Sequence, residues 1–246
     1  DALTSVGSTS VLMQPVGCGV TMIDMVNHAR QAGRPIDEAL ATFYVAQLLL
    51  GLHSLHEAGF IHTDVKPDNV LLQCPDPSKI DISRPLRPAD SGWTAHAPQL
   101  LDFGRSLDLL LYPDGAKWRG GGAVMADDFE CIEMREARPW SFQVDSFAAC
   151  ACAHFLLHSE YMQVVKTSAG WQPKAPLKRY WDNTIWSAVY DTLLNVPPDG
   201  PQPNLRALAE NMLDKLDTMP QRQKLKAALQ SQHSALREAG LLKHRL

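Results

Sequence analysis

The spacing of apolar residues divides the chain into helical and strand-like stretches. Over 37–58, Leu40, Phe43, Tyr44, Leu48, Leu52 and Leu55 recur at three- and four-residue steps, which predicts a long helix with a broad buried stripe. Asp37 is placed to cap its start and Gly59 to stop it. Residues 144–158 are apolar nearly all round, the mark of a helix buried in the middle of a helical domain. Asp145, near its start, is the exception, and a carboxylate there needs a partner. Amphipathic helices are predicted over 20–30, 182–194, 205–216 and 221–241.

Short apolar runs read instead as buried strands. They lie at 10–16, where Pro15, Gly17 and Gly19 end the run, and at 60–61, 70–72 and 99–103. Residues 74–98 are rich in Pro, Asp and Ser without a period, which predicts a long surface insertion. Residues 107–140, with the triplet Gly120-Gly121-Gly122, have no regular period and are expected to be partly mobile. Residues 171–180 read as loop and 197–201 as a rigid turn. A few early strands followed by helices place the chain in the α+β class.

Composition narrows this little. The chain has 246 residues, of which 45% are hydrophobic and 20% charged, enough for one or two domains with a real core. A formal net charge of −4 leaves no footprint for nucleic acid. No uninterrupted apolar run of about 18 residues predicts a membrane span, and the first residues lack a secretory pattern. The five cysteines are scattered without a CxxC or zinc-like Cys/His spacing, so reduced thiols in the nucleus or cytoplasm are expected. Cys150 and Cys152 read as small core residues. His53 and His56 stand three apart on a helix, but without a third ligand nearby they read as a partly exposed face rather than a metal site.

The chemistry is concentrated in His62-Thr63-Asp64-Val65-Lys66-Pro67-Asp68-Asn69 and, downstream, Asp102-Phe103-Gly104. The first stretch puts a carboxylate, a cation and a carboxamide on one short loop, and the second adds a carboxylate on a turn ending in Gly. Phosphoryl transfer needs this set: Asp64 to accept a hydroxyl proton and Lys66 to neutralise the transferring phosphate. Asn69 and Asp102 supply hard oxygen ligands for Mg²⁺.

The H-x-D-x-K-P-x-N pattern with a following D-F-G resembles the C-terminal lobe of a protein kinase. Small-molecule kinases of the aminoglycoside type lack a Lys two residues after the Asp, so Lys66 favours the protein-kinase branch. The resemblance implies an α+β protein-kinase-like fold over 1–246. Its parts would be the end of the N-lobe and hinge over 1–19, then the C-lobe over 20–246, with an insertion at about 74–98 and an activation segment at 102–133. It implies that ATP and Mg²⁺ are used, with Asp64, Lys66 and Asn69 catalytic and Asn69 and Asp102 on the metal. Leu71 would form the floor under adenine and Met13 the gatekeeper, with Gln14, Pro15 and Val16 as the hinge. Pro15 has no N–H to donate, which leaves adenine to the backbone of Gln14 and Val16. Asp145 would brace the loop's backbone from below.

Three further stretches are similar to the spindle-checkpoint Bub kinases: Leu101 to Asp108, Phe129 to Met134 and Arg138 to Phe147. That family includes an active Bub kinase and a Bub-related, Mad3-like sibling that is a pseudokinase in some lineages. The resemblance implies protein substrates, checkpoint and kinetochore partners, and a nuclear or cytoplasmic protein at kinetochores in mitosis. No nucleic acid or membrane partner is implied. Glu133 takes the place of the Glu in the usual A-P-E, a residue expected to pair with an Arg late in the lobe.

Two departures from the kinase pattern matter. Thr63 stands where most regulated kinases carry the Arg that reads a phosphorylated activation loop, so independence of that phosphorylation is expected. No Gly-rich loop, no V-A-I-K strand and no acidic helix residue to pair with its Lys precede Ser10. By themselves these residues are therefore expected to bind ATP poorly and transfer phosphate negligibly. Two functions follow: a serine/threonine kinase domain of a checkpoint protein, or a kinase-fold scaffold serving stability or partner binding.

Overall fold

The computed structural model describes residues 2–5, 8–11, 19–87, 89–120, 130–197 and 200–242, the first two stretches and Ala89 by backbone alone. The gatekeeper and hinge positions Met13, Gln14, Pro15 and Val16, and Cys18, lie outside the described residues, as does Phe129.

Helix α1 (Met22–Gln31) precedes the long central helix α2 (Glu38–Glu57). Asp37 caps α2, its Oδ1 accepting from Ala39 N at 2.8 Å, and Gly59 leaves it at a φ of +81°, a conformation glycine adopts freely. A four-residue helix α3 (Ile132–Arg135) leads to α4 (Gln143–His158), in which every residue from Gln143 to Leu157 is buried. Helices α5 (Asn183–Leu194), α6 (Leu205–Leu216) and α7 (Met219–Glu238) complete the bundle. The centre of the core is α2 packed on α4, α6 and α7. By length and composition α2 could cross a membrane, but its apolar residues are spent on this core, where Phe43, Leu49 and Leu52 are fully buried. Cys150 and Cys152 are core residues as expected, and burial pushes both thiols well up from their ordinary range.

The strands are short. β1 (Ala2–Ser5) and β2 (Ser8–Val11) form an antiparallel hairpin. β3 (Gly19–Thr21), β5 (Val70–Gln73) and β6 (Pro98–Leu100) form an antiparallel sheet in the order β3-β5-β6. Gly19 is needed there because a Cβ on it would sit 2.5 Å from Leu72 O. β4 (Phe60–Ile61) pairs with β7 (Leu107–Asp108), Phe60 opposite Asp108 and Ile61 opposite Leu107. The loop 62–69 hangs between β4 and β5, and the chain that pairs with those two strands, β6 and β7, carries Asp102 on the turn between them.

Several expectations change. Residues 74–98 run largely exposed, as expected, but are anchored to the core rather than free of it: Leu86 and Trp93 are fully buried, and Leu86 N donates to Asp217 at 3.0 Å while Lys226 donates to Ile80 O at 2.8 Å. A stretch without period can still bury isolated large side chains, and periodicity cannot see them. The predicted buried strand at 99–103 is a half-exposed edge strand ending at Leu100, because Asp102 takes a left-handed φ of 59° that no strand accommodates. Residues 171–180 are not all loop, since β8 (Val164–Thr167) and β9 (Gly170–Pro173) make a hairpin whose turn needs Gly170 at a φ of +122°. Finally, Val20 belongs to β3 rather than α1, and α7 starts and ends earlier than its apolar pattern suggested.

Candidate active site

The loop that follows β4 gathers its polar groups on one carboxylate. Lys66 Nζ lies 2.9 Å from Asp64 Oδ2. Asn69 Nδ2 donates to the same oxygen at 3.0 Å and to the Asp64 carbonyl at 2.9 Å. Proximity of this kind is local: Pro67–Asn69 form a single 3₁₀ turn, which brings position 69 back over position 64. With both donor bonds spent on Asp64, Asn69 keeps its Oδ1 free to accept or to ligate. Asp64 and Asn69 are buried, while Lys66 is one-third exposed at its side chain.

Behind the loop stands Asp145, fully buried in α4. Its Oδ2 accepts from His62 N at 2.8 Å and its Oδ1 from Thr63 N at 2.8 Å, which is the bracing arrangement the sequence led us to expect. The same Oδ2 accepts from His56 Nε2 at 2.9 Å. His56 is thus the buried carboxylate's side-chain partner, a role its place on a helix face did not announce. Among the described residues no group of three or more His, Cys, Asp or Glu is placed to hold a metal ion.

Two neighbours of Asp64 tie the loop to the Asp102 turn. His62 accepts from Asp64 N at Nδ1, 3.3 Å away, so its Nε2 carries the hydrogen that donates to Leu101 O at 3.0 Å. The His62 ring also lies against Phe103, with centroids 4.8 Å apart. Thr63 Oγ1 donates to Arg105 O at 2.8 Å, and Leu101 N to Asn69 O at 2.8 Å. Asp102 is exposed beside this network, one oxygen accepting from Gly104 N at 3.3 Å. Leu71, the proposed adenine floor, is buried in β5 between Thr21 of β3 and Gln99 of β6.

Glu133 finds its Arg, but not late in the chain. Arg138 Nη2 lies 3.6 Å from Glu133 Oε1, and Arg138 N donates to Glu133 O at 2.7 Å. Burial raises the Glu133 carboxyl from its ordinary range, an effect Arg138 partly offsets. Arg138 is shared with Glu136, whose carboxyl is held low chiefly by its hydrogen bond from Lys166 and further by Arg138 and Trp171. Lys166 and Trp171 belong to the β8–β9 hairpin, so that hairpin is clamped to the segment carrying Glu133.

The chain is similar to known proteins. The protein kinase domain family matches residues 7–120. The mitotic checkpoint serine/threonine-protein kinase BUB1 of Arabidopsis thaliana is 33% identical over 180 residues, covering 71% of this chain and 34% of that protein. The spindle assembly checkpoint serine/threonine-protein kinase BUB1 of Saccharomyces cerevisiae is 34% identical over 180 residues, 71% of this chain and 17% of its own length. The chain therefore spans about a third of one of these curated relatives and less of the other. Among solved structures, the crystal structure of the BubR1 kinase domain superposes with a TM-score of 0.74 at 32% identity, covering 88% of this chain and 60% of that one.

Proposed function

The chain is a protein kinase domain of the spindle-checkpoint Bub type, and from that premise we propose that it serves a mitotic checkpoint protein as an ATP- and Mg²⁺-dependent serine/threonine kinase. The observation that carries this reading is the convergence of Lys66 and Asn69 on Oδ2 of Asp64, which leaves Oδ1 for a substrate hydroxyl. Asp64 orients that hydroxyl and takes its proton. Lys66, held at the edge of the same carboxylate, would steady the transferring phosphate.

The donor set fits a divalent cation. Asn69 Oδ1 has no competing hydrogen-bond duty from its own amide, and Asp102 has a carboxylate oxygen beyond the one bonded to Gly104; both are hard ligands of the kind Mg²⁺ prefers. Bound there, Mg²⁺ would neutralise charge on the phosphates. Leu71 supplies an apolar surface for adenine, and Met13, Gln14 and Val16 would complete that pocket. Protein substrates, checkpoint and kinetochore partners, and a mitotic place at kinetochores belong to the same proposal.

The test is phosphate transfer from labelled ATP by the full-length protein, with Asp64→Asn as the control. Loss of about 10²-fold or more in the variant is expected, and equal activity of the two would sink the enzymatic reading. Asp102→Ala is expected to abolish Mg²⁺-dependent nucleotide binding, and calorimetry in Mg²⁺ that gives the variant the same nucleotide affinity as wild type would contradict its metal role. The likeness to the BubR1 kinase domain favours a second reading, a kinase-fold scaffold of the Bub-related branch. It predicts no transfer by wild type or variant.

A further inference from the structure

Arg105 follows the Asp102-Phe103-Gly104 turn and takes no part in the roles assigned above. Its backbone is fixed on both sides. Thr63 Oγ1 donates to the Arg105 carbonyl at 2.8 Å, and Ser106 N closes the preceding turn on Phe103 O at 3.0 Å. Thr63 itself sits at a φ of 63°, a strained place for a β-branched residue, and Asp145 holds it there through its N–H. The chain thus maintains a costly conformation at the residue that anchors Arg105.

From that anchor the guanidinium Nη1 reaches to 3.8 Å from Asp64 Oδ1, with 42% of the side chain exposed. The two oxygens of Asp64 face different neighbours. Oδ2 takes Lys66 and Asn69, the phosphate and metal side. Oδ1 is on the Arg105 side and is the oxygen left for an incoming hydroxyl. A guanidinium carries five N–H donors in a planar fork, and one distant carboxylate oxygen occupies at most one of them. No hydrogen bond from the guanidinium to a carboxylate closer than this one is made among the described residues, and the side chain is 42% exposed beside the oxygen a substrate hydroxyl would approach.

We infer that Arg105 is a specificity-determining residue that pairs with an acidic side chain next to the phosphorylated Ser or Thr, so that the substrate is an acidic peptide segment. The inference rests on Asp64 as the base. A carboxylate reaching the fork forms a bidentate, charge-assisted pair, and it draws the guanidinium away from Asp64 Oδ1 as the hydroxyl takes its place. A neutral neighbour would leave Arg105 competing for the base.

The experiment uses the full-length protein and paired peptides that differ only in Glu or Gln beside the Ser or Thr. It reads kcat and KM for phosphate transfer, and Kd by fluorescence anisotropy. Wild type is expected to favour the Glu peptide by about tenfold, mainly in KM and Kd. Arg105→Gln should bring the ratio to about one, and Arg105→Glu should shift the preference to a Lys peptide. Equal treatment of the two peptides by wild type, or a preference kept by Arg105→Gln, overturns the inference. So does a rise in kcat on both peptides alike in Arg105→Gln, which would mark a guanidinium that only competes for the base. If wild type transfers no phosphate, the reading of Asp64 fails, and the Kd ratio by itself decides for or against Arg105.

Discussion

Asp145 is fully buried and makes three polar contacts, to the N–H groups of His62 and Thr63 and to His56 Nε2. Removing its carboxylate would leave two backbone donors unpaired in the interior and release Thr63 from a conformation it does not prefer. Asp145→Ala is therefore expected to cost roughly 2–4 kcal/mol and to lower Tm by about 5–10 °C in the absence of nucleotide. An unchanged Tm would mean the loop holds its shape without the brace. At this scale the sequence was partly transparent. A lone carboxylate in an apolar helix announced a partner, and the loop motif indicated which backbone it would meet. His56 was not legible, because a histidine on a helix surface looks the same whether or not a buried acid from another helix reaches it.

The segment at 74–98 shows the same limit for elements. Its Pro, Asp and Ser content led to the expectation of a surface excursion, yet Trp93 is fully buried and Lys226 and Asp217 hold its backbone against the last two helices. Trp93→Ala should create a core cavity costing roughly 3–5 kcal/mol, with Tm lower by about 10 °C. A dispensable surface loop would leave Tm where it is. The Glu133 pairing makes a related point. The kinase pattern suggested an Arg far along the chain, while the structure supplies Arg138, because the tight turn after α3 brings its side chain back to the carboxylate. Local geometry replaced a long-range pair, and the motif carried no sign of it.

Over the whole molecule, the buried histidines His154 and His96 contribute to the response to acid. Burial pushes His154 down to about 3, helped by the stacked His158 ring at 4.1 Å. Burial pushes His96 down to about 4, with His233 adding to the shift and Asp76 opposing it. A histidine whose folded pKa lies below its unfolded value of about 6.5 is protonated first in the unfolded chain. Its contribution is complete above pH 6.5 and is lost as pH falls toward the folded value, by up to about 1.4 kcal/mol per pH unit for each. Urea midpoints should therefore drop between pH 7.5 and 5.0, a window above most carboxylate titrations, and His154→Phe should flatten that drop. An equal drop in wild type and variant would remove His154 from the account.

The sequence by itself determined the family, the long helices and the grouping of Asp64, Lys66 and Asn69 on one loop. Those features depend on residues close together in the chain: apolar side chains at helical steps, and Asp64, Lys66 and Asn69 within one turn of each other. Only the tertiary structure decided which distant groups complete them. His56 meets Asp145 from another helix, Trp93 fills a gap that no period marks, and Thr63 fixes Arg105 beside Asp64 across two separate loops. A contact between residues far apart in sequence is set by the packing of whole elements, and no spacing along the chain encodes it. The residues of the loop at 62–69 led to the expectation of phosphoryl-transfer chemistry; the approach of Arg105 to Asp64 became visible only when β4 and β7 were paired.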